Sequence, residues 1–361
     1  MPDLASFPEP LAPFVARLEA LTEALTLPEA AREAWWASFW EPQPLAGRIN
    51  PLRTAQGEPE PDGEAVTRAA ATFALPIRPA FAAGAPLPHP LAAWSFVAEP
   101  DARATLTHSA PFQDGTITLQ SLSSQWAVWL LDPQPGEEVL DLAAAPGGKT
   151  ALIAAAIANR GRIAAVEAVK PRYFKLRAEL ARLGVTCAQT YLADGRTIGH
   201  KTPQRFARVL LDAPCSSEAR IRFAAPDTWQ HWKPRKVREA ARKQLALLRA
   251  AWQALAPGGT LVYSTCSYAP EENEWVVAQL LAEAPEAEVV PPRWSPPCAI
   301  PGLAPDAIPA TCSPRRLPDL TPAHAAQLGH TRRVLPAQGF TGFFAAVLFK
   351  HHQTLADDAH A

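Results

Sequence analysis

Two cysteines occupy positions from which a thiol could act as a nucleophile. Cys215 lies in Asp212-Ala213-Pro214-Cys215-Ser216-Ser217 and Cys266 in Ser264-Thr265-Cys266-Ser267, each directly after an apolar run that reads as a buried strand. A cysteine is most often a small buried hydrophobe, and that account suffices for Cys187 inside a strand pattern and for Cys298 and Cys312 in a proline-rich segment. It gives no reason for two thiols at strand ends. Upstream, Val139-Leu140-Asp141-Leu142 leads into the small-residue turn Ala143-Ala144-Ala145-Pro146-Gly147-Gly148-Lys149 and then into an apolar helix pattern. Small side chains let a ligand approach the backbone, and free amides at a helix start favour a carboxylate or phosphate. The spacing therefore points to covalent chemistry beside an anionic or zwitterionic ligand.

Two ligands compete for the turn. Gly148-Lys149-Thr150 looks like the end of a phosphate-binding P-loop, and Val209-Leu210-Leu211-Asp212 like the strand that carries a magnesium-site aspartate. That pattern needs glycine where Ala143 stands, and Pro146 removes an amide that should cradle phosphate. The other ligand is S-adenosylmethionine, whose ribose hydroxyls call for a carboxylate at the end of the second strand, where Glu167 stands. Asp194 and Asp212, at the ends of the third and fourth strands, would serve its adenine and amino group. Three acids at successive strand ends suit a cationic sulfonium nucleoside better than a triphosphate. A thiol beside a methyl donor then has a use: adding to carbon 6 of cytosine, it turns carbon 5 into an enamine-like nucleophile able to take a methyl group. Asp212 could protonate or hydrogen-bond nitrogen 3 of that ring. One thiol suffices for addition, which leaves the other a different task, such as assisting release.

The elements that must position these residues alternate from about residue 120 onward. The spacing predicts a helix over 121–131, strands over 138–142 and 162–167, helices over 149–159 and 170–183, and strands near 185–191 and over 207–212. A long helix over 237–255, closed by Pro257-Gly258-Gly259, precedes a strand over 260–264 and a helix over 271–283. Such alternation predicts an α/β fold: a doubly wound, mostly parallel sheet covered on both faces, with ligands at the carboxyl ends of its strands. Residues 1–119 read as a smaller N-terminal helical and α+β region with a tryptophan cluster at Trp35, Trp36 and Trp40, and 120–350 as the catalytic domain. Within the latter, 291–341 reads as a proline-rich loop insertion before a last apolar run at 343–349, and 351–361 as a frayed tail.

Composition narrows the class. The chain has 361 residues, 48% hydrophobic and 19% charged, enough for a large packed core. Its formal net charge of -1 offers no overall positive field for a polyanion, so any nucleic-acid surface must be local. The first residues lack a basic segment leading into an apolar run, and the most apolar later window is broken by Asp141, Pro146 and Lys149, so a cytoplasmic protein without a membrane span is expected. Five cysteines without a CxxC pair argue against a disulfide framework and a zinc ribbon; no metal site is expected.

Taken in order, the motifs resemble the Nop/Sun family of RNA cytosine-5 methyltransferases. The matching stretches are Gln120-Ser121-Leu122-Ser123-Ser124, Asp141 to Thr150, Glu167 with Arg172, Asp212-Ala213-Pro214-Cys215, Tyr263-Ser264-Thr265-Cys266, Pro270-Glu271-Glu272-Asn273-Glu274 and Gly342-Phe343-Phe344. Upstream, Arg48-Ile49-Asn50-Pro51-Leu52 resembles the family's Arg-x-Asn-x-Leu signature. The resemblance implies a class I S-adenosylmethionine-dependent methyltransferase fold, with Cys266 as nucleophile, Cys215 serving product release, and Ala143 to Lys149, Glu167, Asp194 and Asp212 holding the methyl donor. It also implies an RNA substrate, ribosomal or transfer, and no DNA. Three departures stand out: Glu167 for the more usual aspartate, Glu179 for an asparagine, and Ser-Ser-Glu-Ala after Cys215 where many relatives have Ser-Gly-Thr-Gly.

Around residues 232–243, Lys233, Arg235, Lys236, Arg238, Arg242 and Lys243 form a local basic stretch suited to phosphate contacts, with Trp229 or Trp232 available to stack on a base. Arg293, Arg315, Arg316, Arg332 and Arg333 could extend that surface. Methylation at carbon 5 needs a target base that is unpaired or flipped out of its stack. A monomer is expected to suffice. A P-loop-like ATPase and a non-catalytic RNA-binding or ribosome assembly factor remain as alternative readings.

Overall fold

The computed structural model describes residues 7–54, 64–312 and 317–352. The chain opens with α1 (Ala12–Ala24) and α2 (Glu29–Ala37), followed by β1 (Leu45–Ile49), α3 (Glu64–Phe73), β2 (Arg78–Pro79), β3 (Ser95–Ala98), α4 (Arg103–His108), α5 (Ala110–Gln113) and β4 (Ile117–Leu119). The four strands pair antiparallel in the order β2-β3-β1-β4. The Arg48-Ile49-Asn50 signature anchors this small sheet. Asn50 Nδ2 donates to the carbonyls of Gly115 and Leu183, both at 2.9 Å, while Arg48, buried, donates from Nε to Gln120 Oε1 at 3.1 Å. Burial lowers the Arg48 guanidinium to a pKa of about 10.

The apolar stripe of α1 (Phe14, Val15, Leu18, Leu21) and the cluster Trp35, Trp36 and Phe39 do not close a core of their own. They pack on Ala219, Ile221, Phe223 and Tyr268, the residues that follow the two cysteines. Phe39 stacks on Phe223 with ring centres 5.3 Å apart, and Trp35 meets Tyr268 edge-on at 4.9 Å.

Next come α6 (Leu122–Leu131), β5 (Glu138–Asp141), α7 (Gly148–Ala156), β6 (Arg162–Glu167), α8 (Lys170–Arg182), β7 (Ala188–Leu192), α9 (Ile198–Lys201), β8 (Phe206–Asp212) and α10 (Pro234–Ala254). The chain continues through β9 (Leu255–Thr265), α11 (Glu274–Glu283), β10 (Ala287–Val290), β11 (Ala299–Pro301), α12 (Pro322–Gln327), β12 (Arg332–Val334) and β13 (Phe343–Lys350). The second sheet runs β11-β12-β13-β9-β8-β5-β6-β7, with β10 also on β13. From β9 to β7 the pairing is parallel, and β10 to β13 pair antiparallel, so the doubly wound sheet is completed as a mixed one. Period-two alternation sends Leu210 and Val262 into a core with α6 and α7, and Val209, Leu211, Leu261 and Tyr263 into a second core with α10 and α11.

Three local differences from the sequence expectation have physical reasons. The long helix starts at Pro234, three residues early, because proline is tolerated at the first helical position. Pro257-Gly258-Gly259 does not end a helix but forms an irregularity inside β9: Phe206 pairs with Leu255 and Arg208 with Thr260, and Gly258 takes φ +76°. Residues 291–341 are not an open loop among their described part, since β11 and β12 extend the sheet and Leu303 and Leu328 are buried. Most of the expected tail lies outside the described residues.

Candidate active site

The carboxyl ends of β5, β8 and β9 open into one cavity of about 900 Å³. Its lining brings together Ala143, Ala144, Ala145, Pro146, Gly148 and Lys149 from the turn after β5 with Asp212, Cys215 and Cys266. Gly147 shapes the turn from behind: its φ is +117°, and a Cβ there would lie 3.1 Å from Leu176 Cδ1, so only glycine fits without displacement. Asp141, buried at the end of β5, accepts from Thr150 Oγ1 at 2.7 Å and thereby ties the strand to the first turn of α7; burial raises its pKa to about 6.

Glu167 and Asp194 are placed differently. Both sit at the strand ends where they were expected, yet neither is part of the cavity lining. Glu167 is buried, with Oε1 accepting from the Val169 amide at 2.8 Å and Oε2 3.6 Å from the Arg172 guanidinium. Asp194 is clamped by Arg196, whose Nε lies 3.0 Å from both carboxylate oxygens; that hydrogen bond holds the Asp194 carboxyl below its ordinary range.

Asp212 faces the cavity with both oxygens engaged. Lys149 Nζ donates to Oδ2 at 2.7 Å, and Ser264 Oγ donates to Oδ1 at 2.9 Å. Lys149 also reaches Ser124 on α6, a partner that the sequence motif Gln120 to Ser124 contained without revealing its role. Beyond it, Arg172, Lys175, Arg220 and Arg222 also line the cavity, giving a locally basic mouth on a chain of nearly zero net charge.

The two sulfurs lie 3.0 Å apart, both half-buried, with Ser217 Oγ 3.7 Å from Cys266 Sγ. Their proton affinities diverge. Cys215, donating to Cys266, holds the Cys266 thiol below its ordinary range against the opposing effect of burial, and Arg220 adds to the lowering. Cys215 is pushed well above its ordinary range by the same hydrogen bond and by burial, with the Cys266 and Glu272 charges acting the same way. Cys266 is the thiol that ionises first, and Cys215 the one that keeps its proton.

Behind the sulfurs is a buried polar network that the motif Pro270 to Glu274 hid in plain letters. Glu272 Oε2 accepts from the Ser216 amide at 2.9 Å and Gln244 Nε2 at 2.7 Å, while Thr265 Oγ1 donates to Asn273 Oδ1 at 2.6 Å. Gly342 is forced by a close approach, because a Cβ there would lie 2.1 Å from Tyr268 Oη. Of the expected nucleic-acid contacts one is partly engaged elsewhere and one is overturned. Trp232, half-buried, donates from Nε1 to Glu218 at 3.1 Å and packs edge-on against Phe14. Arg333 is 3% exposed and paired with Glu274, its Nε 2.7 Å from Oε1. Arg315 and Arg316 lie outside the described residues, whereas Lys233, Arg235, Lys236, Arg238, Arg242 and Lys243 stand on or beside α10, whose basic face lies away from its packed apolar one.

A parallel five-strand sheet extended through the antiparallel β13, with a glycine turn after its first strand, is the class I S-adenosylmethionine-dependent methyltransferase fold. A methyltransferase homologue from Pyrococcus horikoshii shares it at a TM-score of 0.66 and 27% identity, covering 93% of this chain and 99% of that one. NSun6 from Pyrococcus horikoshii shares the fold at a TM-score of 0.68 and 20% identity, over 97% and 100% of the two chains. Residues 128–349 match the family described as 16S rRNA methyltransferase RsmB/F, and the chain belongs to that family. It is similar to the ribosomal RNA small subunit methyltransferases F and B of Klebsiella pneumoniae, at 42% identity over 190 residues and 41% over 187. These matches cover 52% and 50% of this chain but only 39% and 42% of the relatives, so the shared part spans about two fifths of their length.

Proposed function

We propose that the chain is an S-adenosylmethionine-dependent RNA methyltransferase that makes 5-methylcytosine, acting as a cytoplasmic monomer on small-subunit ribosomal RNA. The observation that carries this reading is the pair of thiols of opposite proton affinity in the same cavity as the turn after β5. The relatives named above favour ribosomal over transfer RNA. Among the described residues no helix is long and apolar enough to cross a membrane.

The cradle fits the methyl donor by its chemistry. The small-residue turn leaves room for a nucleoside, the α7 amides and Lys149 suit a carboxylate, and Asp212 suits an amino group, while Glu167, outside the lining, would reach ribose hydroxyls only on opening toward the cavity. Asp194 would join them on release from Arg196. When bound, that group supplies an electrophilic methyl. The chain's own residues do the rest. The Cys266 thiolate adds to carbon 6 of a flipped cytosine, and Asp212 relays a proton from its partner Lys149 to nitrogen 3, neutralising the charge pushed onto the ring. After carbon 5 has taken the methyl group and given its proton to solvent water, the Cys266 sulfur is expelled as a thiolate. Cys215, still protonated, serves that release. Arg220, Arg222 and the basic face of α10 bind phosphates on the thiol side of the cavity, and the N-terminal region positions the RNA above it.

Bisulfite sequencing of total RNA from cells with and without the gene tests the reading. One small-subunit ribosomal cytosine should lose its methyl mark in the deletion; an unchanged map would reject the reading.

A further inference from the structure

Glu218 belongs to the Ser-Ser-Glu-Ala departure, and its side chain turns inward, away from the cavity, where it is 2% exposed. There it meets Glu272, which is fully buried. Both carboxylates reach the same hydroxyl: Ser267 Oγ is 3.2 Å from Glu218 Oε2 and 2.8 Å from Glu272 Oε1. That oxygen has one hydrogen, and it already accepts from the Ala269 amide at 3.1 Å. It cannot donate to both acids. Neither acid is paired with a cation among the described residues, since Arg17 is held by Glu271 and Arg333 by Glu274. Two ionised carboxylates around one hydroxyl, out of water and with the nearby Arg17 already engaged by Glu271, repel strongly.

The bonds of this pair run between the two thiol loops. Glu218, three residues after Cys215, accepts from the Tyr268 amide at 3.0 Å in the loop of Cys266. Glu272, from the other side, accepts from the Ser216 amide beside Cys215 and from Gln244, whose Nε2 also donates to the Pro214 carbonyl at 3.0 Å. We propose that Glu218 and Glu272 carry one proton between them, and that this singly charged acid pair is a positioning device clamping the Cys215 loop to the Cys266 loop so that the two sulfurs stay in contact. Loss of the second proton puts two like charges on the clamp and opens it. The groups facing the pair are Cys215, Tyr263, Tyr268, Cys312 and the Arg17–Glu271 ion pair. Burial, and then the Glu218 charge, raise Glu272 to a pKa of about 8, which places the opening on the alkaline side of neutrality.

The catalytic consequence rests on the function proposed above, but the device itself can be read without RNA or methyl donor. Alkylation of Cys266 by iodoacetamide, followed by peptide mass spectrometry between about pH 6 and pH 10, should show two titrations in the native chain, one for the thiol and one for the acid pair. Glu218→Gln and Glu272→Gln should each remove the second step, because one neutral partner abolishes the like-charge repulsion. A single step in the native chain, or two unchanged steps in both variants, would overturn the proposal. If a variant does not fold, the native chain decides. Because Glu272 holds its proton above the unfolded value of 4.5, the urea midpoint should fall as pH rises from there to about 8. A midpoint flat over that window would also overturn the proposal. A chain that passes these tests yet makes no 5-methylcytosine would refute the activity and leave the clamp standing.

Discussion

The cavity has two walls of different construction. On the wall built from the turn after β5, Lys149 spans the opening to Asp212, and beside that wall Asp194 is held by the exposed Arg196, while Asp141 and Glu167 are buried behind it. On the wall built from the loops after β8 and β9, Glu218, Ser267, Glu272 and Asn273 are each at most 2% exposed and bond to one another and to the loop backbones. A surface of the first kind can adapt to a ligand that comes and goes. The second kind fixes two sulfurs within 3.0 Å of each other and tolerates little change, because each buried polar atom that loses its partner costs about 1–3 kcal/mol.

The comparison can be broken most severely at the sulfurs. Cys266→Ala should reduce transfer of labelled methyl to RNA to background, whereas Cys215→Ala should accumulate a covalent protein–RNA band on a denaturing gel. If the outcomes were exchanged, the roles assigned from the two proton affinities would be reversed. Next in size is the buried network: Glu272→Ala strands the Ser216 amide and the Gln244 side chain and should destabilise the fold by about 3 kcal/mol in urea unfolding. Gly342→Ala drives a methyl group against Tyr268 Oη and should cost about 1–3 kcal/mol in the same assay.

Smaller effects are expected on the adaptable wall. Lys149→Ala should weaken the methyl donor about tenfold in calorimetric titration with little change in unfolding midpoint, the effect of removing one charge-assisted hydrogen bond. A large drop in stability there would erase the contrast between the walls. Removing Lys236 and Arg242 from α10 should lower the slope of log affinity against log salt by about 0.7 for each phosphate left without its cation, without altering which cytosine is methylated.

The two walls were also unequally legible in the sequence. The turn, the strand Arg162–Glu167 and the positions of Cys215 and Cys266 follow from local pattern, because hydrophobic period and glycine placement are short-range signals. The network behind the thiols was visible only as letters in a motif, since whether Glu218 or Glu272 is buried depends on Tyr268, Gln244 and Trp232, which lie far along the chain. Arg333 reads as a surface group for the same reason: a guanidinium looks alike in sequence whether its partner is solvent, RNA or a buried carboxylate. The three-residue strands β11 and β12 escaped notice because their place beside β13 is set by tertiary packing rather than by propensity.

The most direct test is peptide mapping of the covalent complex formed by the Cys215→Ala chain with its RNA. The account predicts a nucleotide-bearing peptide that contains Cys266 and a cytosine already methylated at carbon 5. An adduct on any other side chain, or no adduct while methylation proceeds, would contradict it.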